Sequence, residues 1–245
     1  MLVEAGTQVI LEEGLGTGAE ALTFKRVYER LMQTAGVRVT NSSVIGRIWD
    51  SQADFQVDVL STFARECGSS AVDETLAAGA SVLAHCDRSS LEGRRQTMVE
   101  ALRMAAAAHI EAVAKSETWP PWVSVWALAV AGSGSDGAVL PVQEALVIGY
   151  ERVTARYEEQ YAAMLRYCGF RVRAPLTVHE LTVAAGALAE GLVLRERVDV
   201  GGLGTVERPT GPEGAPQQWT LFGIALAALV EQFVEPDPEW DEAGR

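Results

Sequence analysis

Apolar residues recur at intervals of three and four along this chain, and this helical spacing strongly limits the folds it can form. Phe24, Val27 and Leu31 show the pattern in one short segment, and it returns in longer segments as far as Val234. No strand-like alternation is long enough to build a sheet, and the 245 residues include only 9 prolines. A hydrophobic content of 48% is sufficient for a core. The sequence therefore predicts an all-α protein.

Glycine-rich connections divide the chain into a short beginning and a longer remainder. Residues 1–52 are expected to form a head of three short helices, in which Gly14 and Gly36 end the first two and Thr40 or Asn41 caps the third. Residues 53–235 are expected to form a larger helical body, with a Gly/Pro-rich loop at residues 201–218. Residues 236–245 are expected to be a loose acidic tail.

The charge of the chain is unevenly distributed. The formal net charge is −13, and a uniformly acidic surface would repel nucleic acids and membrane head groups. Residues 21–49, however, carry a net charge of +4, because Glu29 is their only acid. Their basic residues are Lys25, Arg26, Arg30, Arg38 and Arg47.

The expected third helix begins with small polar residues and carries Arg47 one turn later. In a helix-turn-helix, the second helix of the pair lies in the major groove with its first residues at the base edges. Small side chains allow the backbone to approach DNA, and an arginine can reach a phosphate or a guanine. A capped surface helix is the alternative, since the same residues gather at any N-cap. The candidate DNA-binding residues are Lys25, Arg26, Arg38, Thr40, Asn41, Ser42, Ser43 and Arg47.

Residues 22–60, LTFKRVYERLMQTAGVRVTNSSVIGRIWDSQADFQVDVL, resemble the DNA-binding head of the TetR (tetracycline-repressor-like) regulators. The pattern is a helix, an Ala-Gly-Val turn, a short recognition helix, an aromatic residue (Trp49), a polar turn and a connecting helix. The family's usual recognition-helix tyrosine is replaced here by Ile45 or Gly46, and Gln52 stands where a lysine is common. The basic N-terminal arm is absent. Each difference removes a phosphate contact, so we expect weak, salt-sensitive DNA binding.

The resemblance implies a dimer built from the last two helices of each subunit, and the last helix is apolar on nearly all sides. Such a helix must be covered on nearly all sides, and a partner subunit is a natural second cover. The alternative is that both helices form the central core of a monomer. The candidate dimerisation residues are Leu181, Leu188, Leu192, Phe222, Leu226, Leu229 and Phe233.

The resemblance also implies an effector cavity in the body, and the cluster WPPWVSVW (residues 119–126) is the strongest indication of one. Tryptophans often line a ligand site or anchor an interface, and nearby polar residues could orient a ligand. For each residue, an ordinary place in the core or on the surface is the alternative. The candidate ligand-binding residues are Trp119, Trp122, Trp126, His109, Glu144 and Tyr150.

No pattern in the sequence indicates an enzyme, a cofactor or a metal site. The three histidines lie far apart, and GLGTG (residues 14–18) lacks the Lys-Ser/Thr of a phosphate loop. Three cysteines suggest reduced thiols, and the acidic N-terminus differs from a signal peptide. The longest apolar run, residues 219–230, is too short to span a bilayer. We therefore expect a cytoplasmic protein without membrane contact.

Together these features predict a homodimeric transcriptional regulator. It would bind a palindromic operator in double-stranded DNA and be released by a small-molecule effector in its helical body. The alternative is a TetR-like helical dimer that has lost DNA binding and acts as a small-molecule or protein-binding module.

Overall fold

The computed structural model of the chain describes residues 1–15, 19–40, 44, 46–66, 70–131, 140–211 and 214–240. Most of these residues are helical, which confirms the expectation of a mostly helical protein. None of the described helices combines the length and the apolarity needed to cross a membrane. The helices are α1 (Leu2–Glu13), α2 (Phe24–Ala35), α3 (Gln52–Glu66), α4 (Ser70–Leu83), α5 (Leu91–Lys115), α6 (Trp119–Ala131), α7 (Leu140–Cys168), α8 (Val178–Val198) and α9 (Leu221–Phe233).

Two short antiparallel strand pairs accompany the helices. Strand β1 (Phe170–Val172) pairs with β4 (Val234–Pro236), and β2 (Thr205–Arg208) pairs with β3 (Gln217–Thr220). The second pair lies mostly in the segment that we expected to be a loop. Each strand has only three or four residues, too few for alternation to be visible in the sequence.

The chain forms two compact units. The first unit comprises residues 1–68 and 116–152, and the second comprises residues 69–115 and 153–245. The boundary between head and body that we expected at residue 52 stays a prediction.

The core of the first unit includes residues of α1, α2 and α3. Helix α2 begins where Thr23 Oγ1 accepts a hydrogen bond from the amide of Arg26, and it ends at Gly36, which adopts a left-handed conformation. Its buried residues Phe24, Val27 and Leu31 lie on one helical face. The predicted amphipathic helix between a threonine cap and a glycine is therefore present.

The core of the second unit contains residues of α5, α7, α8 and α9. Helix α9 buries Phe222, Leu226 and Val230 in this core. Before it, Trp219 of β3 is only 1% exposed, and its indole N–H donates to Thr210 Oγ1 at 2.7 Å. The apolar residues of α9 are thus largely covered by their own chain.

The beginning of the acidic tail packs against the second unit. The indole N–H of Trp240 donates to the backbone oxygen of Arg166 at 3.1 Å, and its ring lies 4.0 Å from the guanidinium carbon of Arg94. Residues 241–245, the remainder of the tail, lie outside the described residues.

Candidate DNA-binding surface and candidate ligand site

Among the described residues between 38 and 49, the side chains of Val39, Val44 and Trp49 pack in the first unit. Val44 is 2% exposed and belongs to the core. The ring of Trp49 lies 4.9 Å from that of Phe55 in an edge-on arrangement, and its N–H donates to Asp58 Oδ2 at 3.2 Å. These contacts place Val44 in the core of the first unit and Trp49 against it. Residues 46–48 form a turn in which Gly46 has a positive φ, so the prediction of a helix that continues through Trp49 was wrong, and Arg47 lies on this turn. Asn41, Ser42 and Ser43 were predicted to touch bases, and they lie outside the described residues.

Other described residues of this segment are open to solvent. Arg38, Thr40 and Arg47 are all exposed. Gly46, next to Arg47, has φ +74° and presents no side chain. Neither Arg38 nor Arg47 forms an ion pair with a residue in the described part of the chain; the ion pairs there involve other basic residues of the head. Two arginines are therefore available to an external anion.

The other basic residues of the head are partly neutralised. Arg26 lies 2.8 Å from Glu13, and Arg30 forms an ion pair with Glu12. Lys25 lies 3.9 Å from Glu29 on its own helix. With Glu12 and Glu13 included, the net charge of residues 21–49 falls from +4 to +2. Because α1 brings in these acids, the positive charge of the head is weaker than its local sequence indicated.

The candidate ligand residues do not form one cluster in the described structure. Trp122 and Tyr150 meet at 5.7 Å between ring centroids in the first unit. Trp119 is half-buried, whereas Trp126 is 41% exposed and Glu144 is exposed. His109 belongs to the second unit.

His109 takes part in a buried polar group of the second unit. Its Nδ1 lies 3.2 Å from Thr75 Oγ1 and 3.3 Å from the Tyr157 hydroxyl, and its ring lies 5.7 Å from that of Phe222. Burial lowers the pKa of His109 to about 4, and burial raises the pKa of Tyr161 nearby. At neutral pH the His109 imidazole and the Tyr161 hydroxyl are therefore uncharged.

The seven candidate dimerisation residues pack inside a single chain. Leu181, Phe222 and Leu226 are at most 6% exposed. The other four, Leu188, Leu192, Leu229 and Phe233, are partly buried and contact the same core. Their packing agrees with the alternative that we left open, a core within one subunit. A dimer interface on α8 would instead be formed by the exposed residues of that helix.

Comparison with family models, curated proteins and solved structures finds no significant match to this chain. The resemblance to TetR regulators therefore stays a prediction, supported by the residues of the head. Among the described residues, no three His, Cys, Asp or Glu side chains are arranged to hold a metal ion.

Proposed function

We propose that this chain is a TetR-like transcriptional regulator, a homodimer that binds a palindromic operator and releases it when a small molecule binds its helical body. The observation that carries the proposal is that the described residues between 38 and 49 include both side chains that pack in the core and exposed arginines. Val44 and Trp49 attach this segment to the core, and Arg38 and Arg47 extend from it into solvent. An anchored segment that presents cations is what a DNA-reading element requires.

The proposed dimer uses the exposed side of α8. Val183, Leu194 and Val198 are 49%, 44% and 81% exposed, and the small residues Ala187 and Gly191 are exposed between them. Their spacing of three and four places all five residues on one helical face, which we call the α8 stripe. Small residues at its centre would let two copies of the helix approach closely. A two-fold dimer would match a palindromic DNA site.

Replacing both exposed arginines, Arg38→Ala with Arg47→Ala, tests the proposed DNA contact. The probe is DNA from upstream of the protein's own gene, and the measurement is fluorescence anisotropy at several salt concentrations. Because each lost phosphate contact reduces the salt slope by roughly one, a dimer that loses about four contacts should show a clearly shallower slope and much weaker binding.

Arg95→Ala provides the matched control, since Arg95 is exposed on α5, far along the chain from the head. Its affinity and salt slope should equal those of the unmodified protein. If the double variant also binds with unchanged affinity and slope, DNA does not contact this face.

A second candidate function is a helical dimer that no longer binds DNA and acts as a small-molecule or protein-binding module. It is favoured by the ion pairs of Arg26 and Arg30 with α1. Asp50 at the end of the head, and Asp54 and Asp58 just after it, also add negative charge there. Genome-wide binding profiling separates the two functions, because the module would give no enriched DNA sites.

A further inference from the structure

An open groove of about 270 Å³ lies between α3 and the first half of α7 in the first unit. Helix α3 contributes residues 54, 57, 58, 61 and 65, and α7 contributes residues 141, 144, 145 and 148. Both sets follow the spacing of three and four that places residues on one helical face. The groove therefore has two facing walls, each built from a regular helix.

The residues that line the groove include more acids than bases. Asp54, Asp58 and Glu144 line it, and Arg65 is its one basic residue among the described lining residues. Arg65 Nε donates to the backbone oxygen of Ser61 at 3.2 Å, within its own helix, and none of the described ion pairs joins it to these acids. The walls therefore carry an excess of two negative charges, which attracts cations into a concave site.

The carboxylates keep hydrogen-bonding capacity for a ligand. Asp58 Oδ2 accepts from the indole N–H of Trp49 at 3.2 Å, and Asp54 Oδ2 accepts from Ser51 Oγ at 2.8 Å. A carboxylate has about four acceptor positions, so one such bond leaves most of them available. Glu144 makes no hydrogen bond or ion pair with another described residue.

The hydroxyl of Ser61 is another polar group at the groove without a hydrogen-bond partner among the described residues. Ser61 is only 5% exposed, and its hydroxyl oxygen forms no hydrogen bond with any described residue. A buried hydroxyl without a partner is energetically unfavourable. Ser61 lines the groove, and rotation about its Cα–Cβ bond would let this oxygen accept a hydrogen bond from an N–H donor of a ligand.

The remaining lining residues are apolar. Val57, Ala145 and Ile148 face the groove, and Ile148 is 50% exposed. A hydrocarbon group in the groove would remove these side chains from water, which is favourable in proportion to the apolar area covered.

We propose that this groove binds a small organic cation, a primary ammonium group carried on a short apolar body. The ammonium donates to Ser61 Oγ and the neighbouring carboxylates, while the hydrocarbon contacts Val57 and Ile148. A bare metal ion fits less well, because the groove's carboxylates do not form a metal-holding group among the described residues. Binding does not depend on the proposed regulation of DNA; only the further role of such a cation as the effector rests on it.

Calorimetric titration of the full chain tests the proposal with two probes of one carbon skeleton, 4-phenylbutylamine and the neutral 4-phenylbutanol. Hydrogen bonds to charged groups are stronger than neutral ones, so the amine should bind at least about tenfold more tightly than the alcohol. Amine binding should also weaken as salt is raised. Equal affinity for the two probes, or no amine binding at millimolar concentration, overturns the proposal.

Two variants locate the bound amine. Glu144→Gln removes an exposed charge, and Ser61→Ala removes the unpartnered hydroxyl without adding bulk. Each should weaken amine binding several-fold, and Ser61→Ala should leave the midpoint of urea unfolding unchanged or higher, which excludes misfolding. Glu151→Gln, also exposed on α7 but outside the groove, should bind like the unmodified chain. If neither groove variant weakens amine binding, the ammonium group is bound elsewhere and the proposal is wrong.

DNA release is measured separately. If the amine binds but does not change the affinity for DNA, the groove is a cation site and is not the effector site. If the Arg38→Ala, Arg47→Ala variant loses DNA binding but still binds the amine, the result supports both proposals.

Discussion

His109 is a titratable side chain whose neutral form is favoured by the fold. Burial lowers its pKa to about 4, whereas an unfolded histidine titrates near 6.5. Between these two values the unfolded chain binds more protons than the folded chain, so the free energy of unfolding must fall as the pH falls. From pH 7.5 to pH 4 we expect this residue alone to remove about 3 kcal/mol.

Urea unfolding of the His109→Gln variant across this pH range measures the contribution. From pH 7.5 to pH 4, the free energy of unfolding of the variant should fall by about 3 kcal/mol less than that of the unmodified chain, whatever its value at neutral pH. His85→Gln is the control, because it removes an exposed histidine that takes no part in the buried cluster. Parallel pH profiles for the unmodified chain and His109→Gln would show that the imidazole is hydrated in the folded state.

At the scale of single elements, local signals predicted helices well. Helix α2 occupies the residues between Thr23 and Gly36, as expected, because a cap and a left-handed glycine act within one turn of the chain. Strand β3 was missed, because it depends on pairing between Val206 and Trp219, thirteen residues apart. Tertiary contacts also determine the charge of the candidate DNA-binding surface. Helix α1 brings Glu13 to Arg26, and Glu13 lies outside the window of residues 21–49 from which the positive charge was counted.

The packing of α7 against α3 depends on the absence of a side chain at Gly149. A Cβ atom there would lie 2.6 Å from the backbone oxygen of Ala64, so Gly149→Ala must displace one helix from the other. Overpacking of this kind costs typically about 1–3 kcal/mol, more than the gain of up to about 1 kcal/mol from replacing glycine in a helix. We expect a lower free energy of unfolding in chemical denaturation.

Gly79→Ala in α4 separates helix propensity from packing. A Cβ at Gly79 would lie 3.5 Å from Ala105 Cβ, an ordinary contact, so this variant should gain up to about 1 kcal/mol. If both glycine variants are stabilised, α3 and α7 are farther apart than the structure indicates.

At the scale of the whole molecule, net charge makes dimerisation important for the proposed function. Each chain carries −13 and offers two exposed arginines on residues 38–49. Two or three cationic contacts give weak, salt-sensitive attachment to DNA, and long-range repulsion opposes it. A dimer on a palindrome makes the second set of contacts at high effective concentration, which raises the affinity without any new kind of contact.

The α8 stripe can be tested with two valines of similar exposure. Val183 of the stripe is 49% exposed, and Val130 of α6 is 56% exposed. Val183→Glu would place a carboxylate in an apolar interface, and an unpaired buried charge is strongly unfavourable. Light scattering should therefore give the mass of two chains for the unmodified protein and for Val130→Glu, and the mass of one chain for Val183→Glu. Operator binding should be lost together with the dimer, and a Val183→Glu variant that remains dimeric would place the interface on another surface.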